Sequence, residues 1–145
     1  MANKQLIIDA DYPKRSKVLA LVLCIAHEIE AKNARLLKPF GISNTQLMIL
    51  HALEYYPREY MTVNEIIENM VDDSPNVSRS IAGLEKMGLV SRSKNKEDKR
   101  IVEVSITKTG LQIHKEVDAV MENEISELPI SEDDVDQIYE ILKKM

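Results

Sequence analysis

SPNVSRSIAGLEKMGLV (74–90), SRSKNKEDKR (91–100) and IVEVSITKTG (101–110) run consecutively and decide the fold. Ser74-Pro75 is a helix start, with Ser as the cap and Pro at a first position whose N–H has no intrahelical partner. Val77, Ile81 and Leu84 then recur at i, i+4 and i+7, which predicts one face turned to a core. Gly88 ends this helix. Leu89–Lys94 and Ile101–Ile106 follow as a hairpin, because Val102, Val104 and Ile106 alternate with Ile101, Glu103 and Ser105 at the period of a half-buried strand. Thr107 caps the next helix.

The face opposite Val77, Ile81 and Leu84 presents Pro75, Asn76, Arg79, Gly83 and Lys86, with Ser78 and Ser80 on its flanks and Gly83 expected to leave room for close approach. Arg pairs with O6 and N7 of guanine and Asn with N6 and N7 of adenine, the chemistry of major-groove readout. The hairpin tip, Asn95 to Arg100, carries three cations in six residues, whereas turn propensity alone favours Gly and Asn. A basic finger of this kind suits contact with phosphates or insertion of Arg into a minor groove.

Upstream, residues 62–70 form a helix with Thr62 and Glu65 as a capping box, and a break at Val71–Asp73 separates it from the helix at 74. Two short helices joined by a tight turn make a helix-turn-helix. Ser43 and Gln46 form a second capping box, opening a helix over 43–53 whose stripe is Leu47, Ile49, Leu50 and Leu53. Residues 54–61 are expected as a connection around Pro57. A long helix is expected from near Pro13 to about Lys38, ended by Pro39 and Gly41, with Val18, Leu21, Val22, Ile25, Ile29, Lys32 and Leu36 along one stripe. A helix of this length in a small domain suits packing against a partner chain. The first dozen residues read as a loose arm. Downstream, a helix runs from about Lys108 to Glu127, Leu128-Pro129 breaks it, and residues 131–134 cap a last helix carrying Val135, Ile138, Ile141 and Leu142. The fold class is mainly α with a small β-hairpin wing: a winged helix-turn-helix flanked by N- and C-terminal helices.

Composition agrees with one domain of 145 residues, 44% hydrophobic and 30% charged. A single Cys makes no internal disulfide, the N-terminus lacks the order of a signal peptide, and the longest apolar run, Val18–Ala26, is too short to span a bilayer. These features predict a cytoplasmic protein without a membrane partner. The net charge of −5 argues against nucleic acid only as a sum. Residues 74–100 hold seven basic side chains against three acidic, a net of +4, whereas residues 111–145 hold three against ten, a net of −7. That polarity is expected of a DNA binder with an acidic far side.

DKRIVEVSITKTG (98–110) and VSRSIAGLEKMGLVSR (77–92), in this order and spacing, resemble the wing and recognition helix of the MarR family of winged helix-turn-helix transcriptional regulators. Ile106 departs from the Leu usual at that step. The resemblance implies a single MarR-like domain over 1–145, with dimerisation helices at about 13–38 and 108–144 and the winged helix-turn-helix at about 43–107. It implies a homodimer on double-stranded DNA, repressing from a pseudo-palindromic operator and released by a small-molecule effector. By position, Asn76 and Arg79 would read bases, and Ser74 and Ser78 would contact phosphates or bases. Lys94, Lys96 and Lys99 would grip the backbone, Arg100 would enter the minor groove, and Asp98 would pair with Arg100 to hold the tip.

Other chemistries are weaker in the sequence. An enzyme needs a nucleophile with its base, paired carboxylates in a cleft or a phosphate-binding Gly loop, and four scattered Gly with three isolated His offer none. No cofactor is expected. A winged-helix protein-interaction module is the nearer rival, but it has no reason to gather cations at a hairpin tip. Cys24 and His27, with His114 if helices cross there, are the candidates for a redox- or metal-responsive regulator. Cys24 sits among apolar neighbours without the cations that activate a thiol, and no CxxC or HExxH motif occurs, so no metal site is assigned.

Overall fold

The computed structural model describes residues 4–70, 76–127 and 129–145. Its elements are α1 (Lys4–Asp9), α2 (Lys14–Leu37) with a 3-10 turn at Lys38–Phe40, α3 (Asn44–Tyr55), β1 (Met61–Thr62), α4 (Val63–Asn69), α5 (Val77–Lys86), β2 (Val90–Lys94), β3 (Val102–Ile106), α6 (Lys108–Ser126) and α7 (Glu132–Leu142). The chain is mainly α with a small antiparallel sheet in the order β1-β3-β2.

Local chemistry fixes the helix starts. The Ser43 hydroxyl accepts from the Gln46 N–H at 3.2 Å while Gln46 Oε1 accepts from the Ser43 N–H at 2.9 Å. Thr62 and Glu65 close the same box on α4, and Ser131 with Asp134 closes one on α7. Each cap satisfies orphan donors and stabilises its helix by about 1 kcal/mol. The end of α5 is a Schellman motif: Gly88, at φ 73°, donates to the Glu85 carbonyl and Leu89 to that of Leu84, both at 2.9 Å. Leu84 and Leu89 are both buried, the apolar contact that accompanies this turn.

Ile49 and Leu50 from α3, Met61, Ile66, Val77, Ile81 and Leu84, and Val104 from β3 form one contiguous core. Full burial of such a side chain stabilises the fold by about 1.5–3 kcal/mol. The core therefore lies under the helix-turn-helix and the sheet, which positions α5 and the hairpin rigidly relative to each other.

Three expectations change. Within the stretch expected as a loose arm, Lys4–Asp9 is helical and docks on α2, with Lys4 Nζ 2.6 Å from Glu28 and Lys17 Nζ donating to the Ile8 carbonyl at 2.7 Å. The connection at 54–61 ends in a third strand, where fully buried Met61 pairs with Val104 and Thr62 with Glu103. The third change concerns α5, which begins at Val77 with Asn76 in the cap position, later than expected. Val71–Asp73, Ser74, Pro75 and Leu128 lie outside the described residues, and with them the assigned break, cap and first-turn proline.

Candidate nucleic-acid interface

The helix-turn-helix is anchored at the head of α4. Glu65 accepts the Thr62 N–H at 2.7 Å and the Tyr56 hydroxyl at 3.0 Å, and pairs with Arg58, whose guanidinium lies 5.0 Å from the Tyr56 ring centroid. The Thr62 N–H, helped by Tyr56 and Arg58, holds the Glu65 carboxyl at about 2, well below its ordinary 4.5. A carboxylate so held stays charged at the positive end of the helix across the physiological range.

On α5, Val77, Ile81 and Leu84 are buried, as their spacing predicts, and Asn76, Ser78, Arg79, Ala82 and Lys86 are exposed. Gly83 does not belong to that outward face. A Cβ added there would lie 2.8 Å from Gln46 Nε2, whose amide donates to the Ser80 carbonyl at 3.5 Å. Its missing side chain lets α5 approach α3, so the close approach is helix against helix. At the far end, Glu85 accepts from Arg92 Nε at 2.8 Å and pairs with its guanidinium. This hydrogen bonding lowers the Glu85 pKa and raises that of Arg92. Arg92, one of the seven cations of the basic stretch, thus ties the helix to β2.

The hairpin pairs Val90 with Ile106 through to Lys94 with Val102. Asn95 organises its tip, accepting the N–H groups of Glu97 at 2.8 Å and Asp98 at 2.9 Å while donating to Glu103 at 2.6 Å. Asp98 accepts the backbone N–H of Arg100 at 2.9 Å. The Asp98–Arg100 link is therefore through the main chain; among the described residues no ion pair joins the two side chains. That geometry still shapes the tip, and it leaves the Arg100 guanidinium exposed. Lys94, Lys96, Lys99 and Arg100 all project to solvent. Asp98 bonds a backbone N–H rather than a neighbouring cation, so it does not neutralise the tip by an ion pair.

The hairpin is bolted to α6 at its base. Thr107 donates its N–H to the Leu89 carbonyl at 3.0 Å and its hydroxyl to that of Gly88 at 2.7 Å, and accepts the Gly110 N–H at 3.0 Å. Among the residues weighed for sensing, Cys24 is half-buried on α2 and His27 is mostly exposed, 3.7 Å from Glu30. They gather no third ligand among the described residues. His114 lies apart from them, fully buried on α6, and meets His51 of α3, a residue the sequence reading passed over.

The MarR family model matches residues 42–102, which span α3 to the start of β3. The chain is 26% identical to the HTH-type transcriptional regulator SarZ of Staphylococcus haemolyticus over 85% of its length and 82% of that protein. It is 28% identical to the HTH-type transcriptional regulator PapX of Escherichia coli over 71% of its length and 63% of that protein. Its fold superposes on S. aureus MepR, solved as a DNA complex, with a TM-score of 0.78 at 26% identity, covering 87% of this chain and 93% of MepR. With its helix-turn-helix and exposed basic wing, the chain is similar over residues 42–102 to the MarR family, and the relatives it matches are HTH-type transcriptional regulators.

Proposed function

We propose that the chain is a cytoplasmic homodimeric repressor of a pseudo-palindromic operator, released by a small-molecule effector. The observation that carries the DNA contact is the division of α5: its apolar side is sunk in the core while Ser78, Arg79 and Lys86 face out beside an exposed cationic hairpin. In this reading Asn76 and Arg79 address base edges in the major groove and Ser78, with Ser74, contacts phosphates or bases. Lys94, Lys96 and Lys99 hold the backbone, and Arg100 enters the adjacent minor groove from a tip that Asp98 shapes.

Dimerisation is supported by apolar surface that one copy leaves wet. Val18, Leu19 and Leu23 on α2 are more than half exposed, and α7 has no buried residue although it carries Ile138, Ile141 and Leu142. Contiguous apolar area of this kind marks an interaction site. Residues 13–38 and 108–144 then form the dimerisation region and 43–107 the DNA-binding head. An effector would suit the cleft of about 320 Å³ between α2 and α3, lined by Asn33, Thr45, Leu47, Met48 and Met70, at the joint between those regions.

Selection of bound sequences from a random DNA pool tests the reading. The expected consensus is two-fold symmetric, with half-sites roughly 34–36 Å apart. A pool without enrichment, or an asymmetric consensus, overturns it.

A further inference from the structure

His114 is fully buried, yet its ring is poorly served by hydrogen bonds. Its Nε2 faces Nδ1 of His51 at 3.2 Å. Its Nδ1 is crowded by Glu54 Oε2 and lies 3.3 Å from Asp118 Oδ2, but neither Nδ1 nor Glu54 Oε2 has a partner in hydrogen-bond geometry. A buried polar atom left in this state destabilises the fold. Two imidazoles and two carboxylates thus converge where α3 packs on α6, and one proton satisfies only one nitrogen–oxygen pair among them. A proton on His114 Nδ1 answers Glu54, and a divalent cation beside Nε2 would answer His51 and Asp118 together.

We infer that His51, His114 and Asp118 form a metal site for Zn²⁺ or a cation of similar borderline softness. His51 and Glu54 stand three residues apart on α3, and His114 and Asp118 four apart on α6, so each helix offers both groups on one face. The ligand atoms of His51, His114 and Asp118 lie within 4.8 Å of one another. Bonds of about 2.0–2.1 Å separate tetrahedral ligands by about 3.3 Å. Closing that difference needs rotation of exposed His51 and of half-buried Asp118, whose carboxylate now lies 3.3 Å from Nδ1 of His114, while His114 is fixed by burial. His114 binds through Nε2, the nitrogen that faces His51, and its Nδ1–H donates to Glu54. This carboxylate–histidine–metal arrangement fixes the ring and raises its basicity. The exposed side of the cluster supplies the entry path and leaves the fourth position to water.

The site joins α3, which packs against α5, to α6, which starts at the base of the wing. An ion there would set the angle between head and dimerisation helices and so change operator affinity, a consequence that rests on the proposed DNA binding. The site itself is tested without DNA. Zn²⁺ is titrated into the whole protein against a chromogenic chelator, and Co²⁺ is added separately to read the visible absorption of a tetrahedral site. One ion per chain is expected, lost in His51→Gln and Asp118→Asn, weakened about 10–100-fold in Glu54→Gln, and unchanged in Cys24→Ser. Both ligand variants alter side chains that solvent reaches, so circular dichroism should show a native fold. Absence of stoichiometric binding, or wild-type affinity in His51→Gln and Asp118→Asn, overturns the site and leaves a metal-free charge cluster. If Zn²⁺ binds but operator affinity does not move, the coupling is overturned and the site stands.

Discussion

Gly110 sits in the first turn of α6, and a Cβ added there would meet the Leu89 carbonyl oxygen at 2.0 Å, its carbon at 2.9 Å and Ile106 Cγ1 at 3.0 Å. The nearest atoms are backbone at the exit of α5 and cannot swing aside. Carbon and oxygen need about 3.3 Å between them, so Gly110→Ala must drive α6 and Leu89 apart by about 1.3 Å. That movement strains the hydrogen bonds Thr107 makes to the carbonyls of Leu89 and Gly88. Overpacking costs about 1–3 kcal/mol and each weakened hydrogen bond about 0.5–1.5 kcal/mol. Ala returns about 1 kcal/mol of helix propensity. The net loss is roughly 3 kcal/mol, a large share of the roughly 5–15 kcal/mol by which a domain is stable. In urea, with a slope of about 1–3 kcal/mol per molar, the midpoint should fall by about 1–3 M with the slope unchanged, at fixed protein concentration because the stability of the proposed dimer would depend on it. Gly83→Ala is the control: its Cβ would meet only Gln46 Nε2, the end of a flexible side chain, so its midpoint should shift little. A Gly110→Ala midpoint equal to or above wild type would refute the reasoning, since it would mean the contact at Leu89 opens without cost.

Arg79→Ala should relax sequence preference, whereas Lys96→Ala should weaken specific and random DNA alike and lower the salt slope by about 1; equal losses of preference in filter-binding assays contradict that division. Arg100→Ala should cost affinity most on sites flanked by narrow A·T-rich minor groove, and gel-shift titrations indifferent to flanking sequence count against insertion. The Glu65 carboxyl, at about 2 against an ordinary 4.5, is depressed by folding, so its stabilisation is complete above pH 4.5 and is lost as pH falls toward 2. Glu65→Gln should flatten stability against pH across that window, and acid titrations that superpose on wild type would show that the cap is not what titrates.

What could be read in advance was whatever is encoded locally. A Ser or Thr followed three residues later by Gln or Glu names its own helix start, and Gly88 before Leu89 names its own stop. What escaped reading depends on partners distant in sequence. Two residues, Met61 and Thr62, become a strand only because β3 offers them Val104 and Glu103. Gly83 has the angular position of an outward residue, and only the arrival of Gln46 from α3 makes it an interhelix contact. His51 and His114 stand 63 residues apart and meet at 3.2 Å, and a His three residues before Glu or four before Asp is too common to single out. The side chains proposed for the interface were legible as exposed cations and polar groups on α5 and the hairpin. Asp98 was assigned to the tip, but its use of the Arg100 backbone instead of its guanidinium depends on how the turn closes.

The distribution of bonds also explains how a chain of net charge −5 can face a polyanion. Four acids of the head are engaged in the fold: Glu85 by Arg92, Glu103 by Asn95, Asp98 by a backbone N–H and Glu65 by the start of α4. The three acids in the first turn of α7 sit where the helix dipole favours negative charge, and Ser131 holds Asp134 below its ordinary range. Repulsion from solvent-facing charge decays over about 8 Å at physiological salt, so acids farther than that from the tip count little there. The exposed lysines and Arg100 of that tip make no ion pair among the described residues, so their charge remains available to phosphates. Net charge is a sum over the whole surface, whereas binding answers to the field within a Debye length of the contact. On that scale the wing is a basic object carried by an acidic protein.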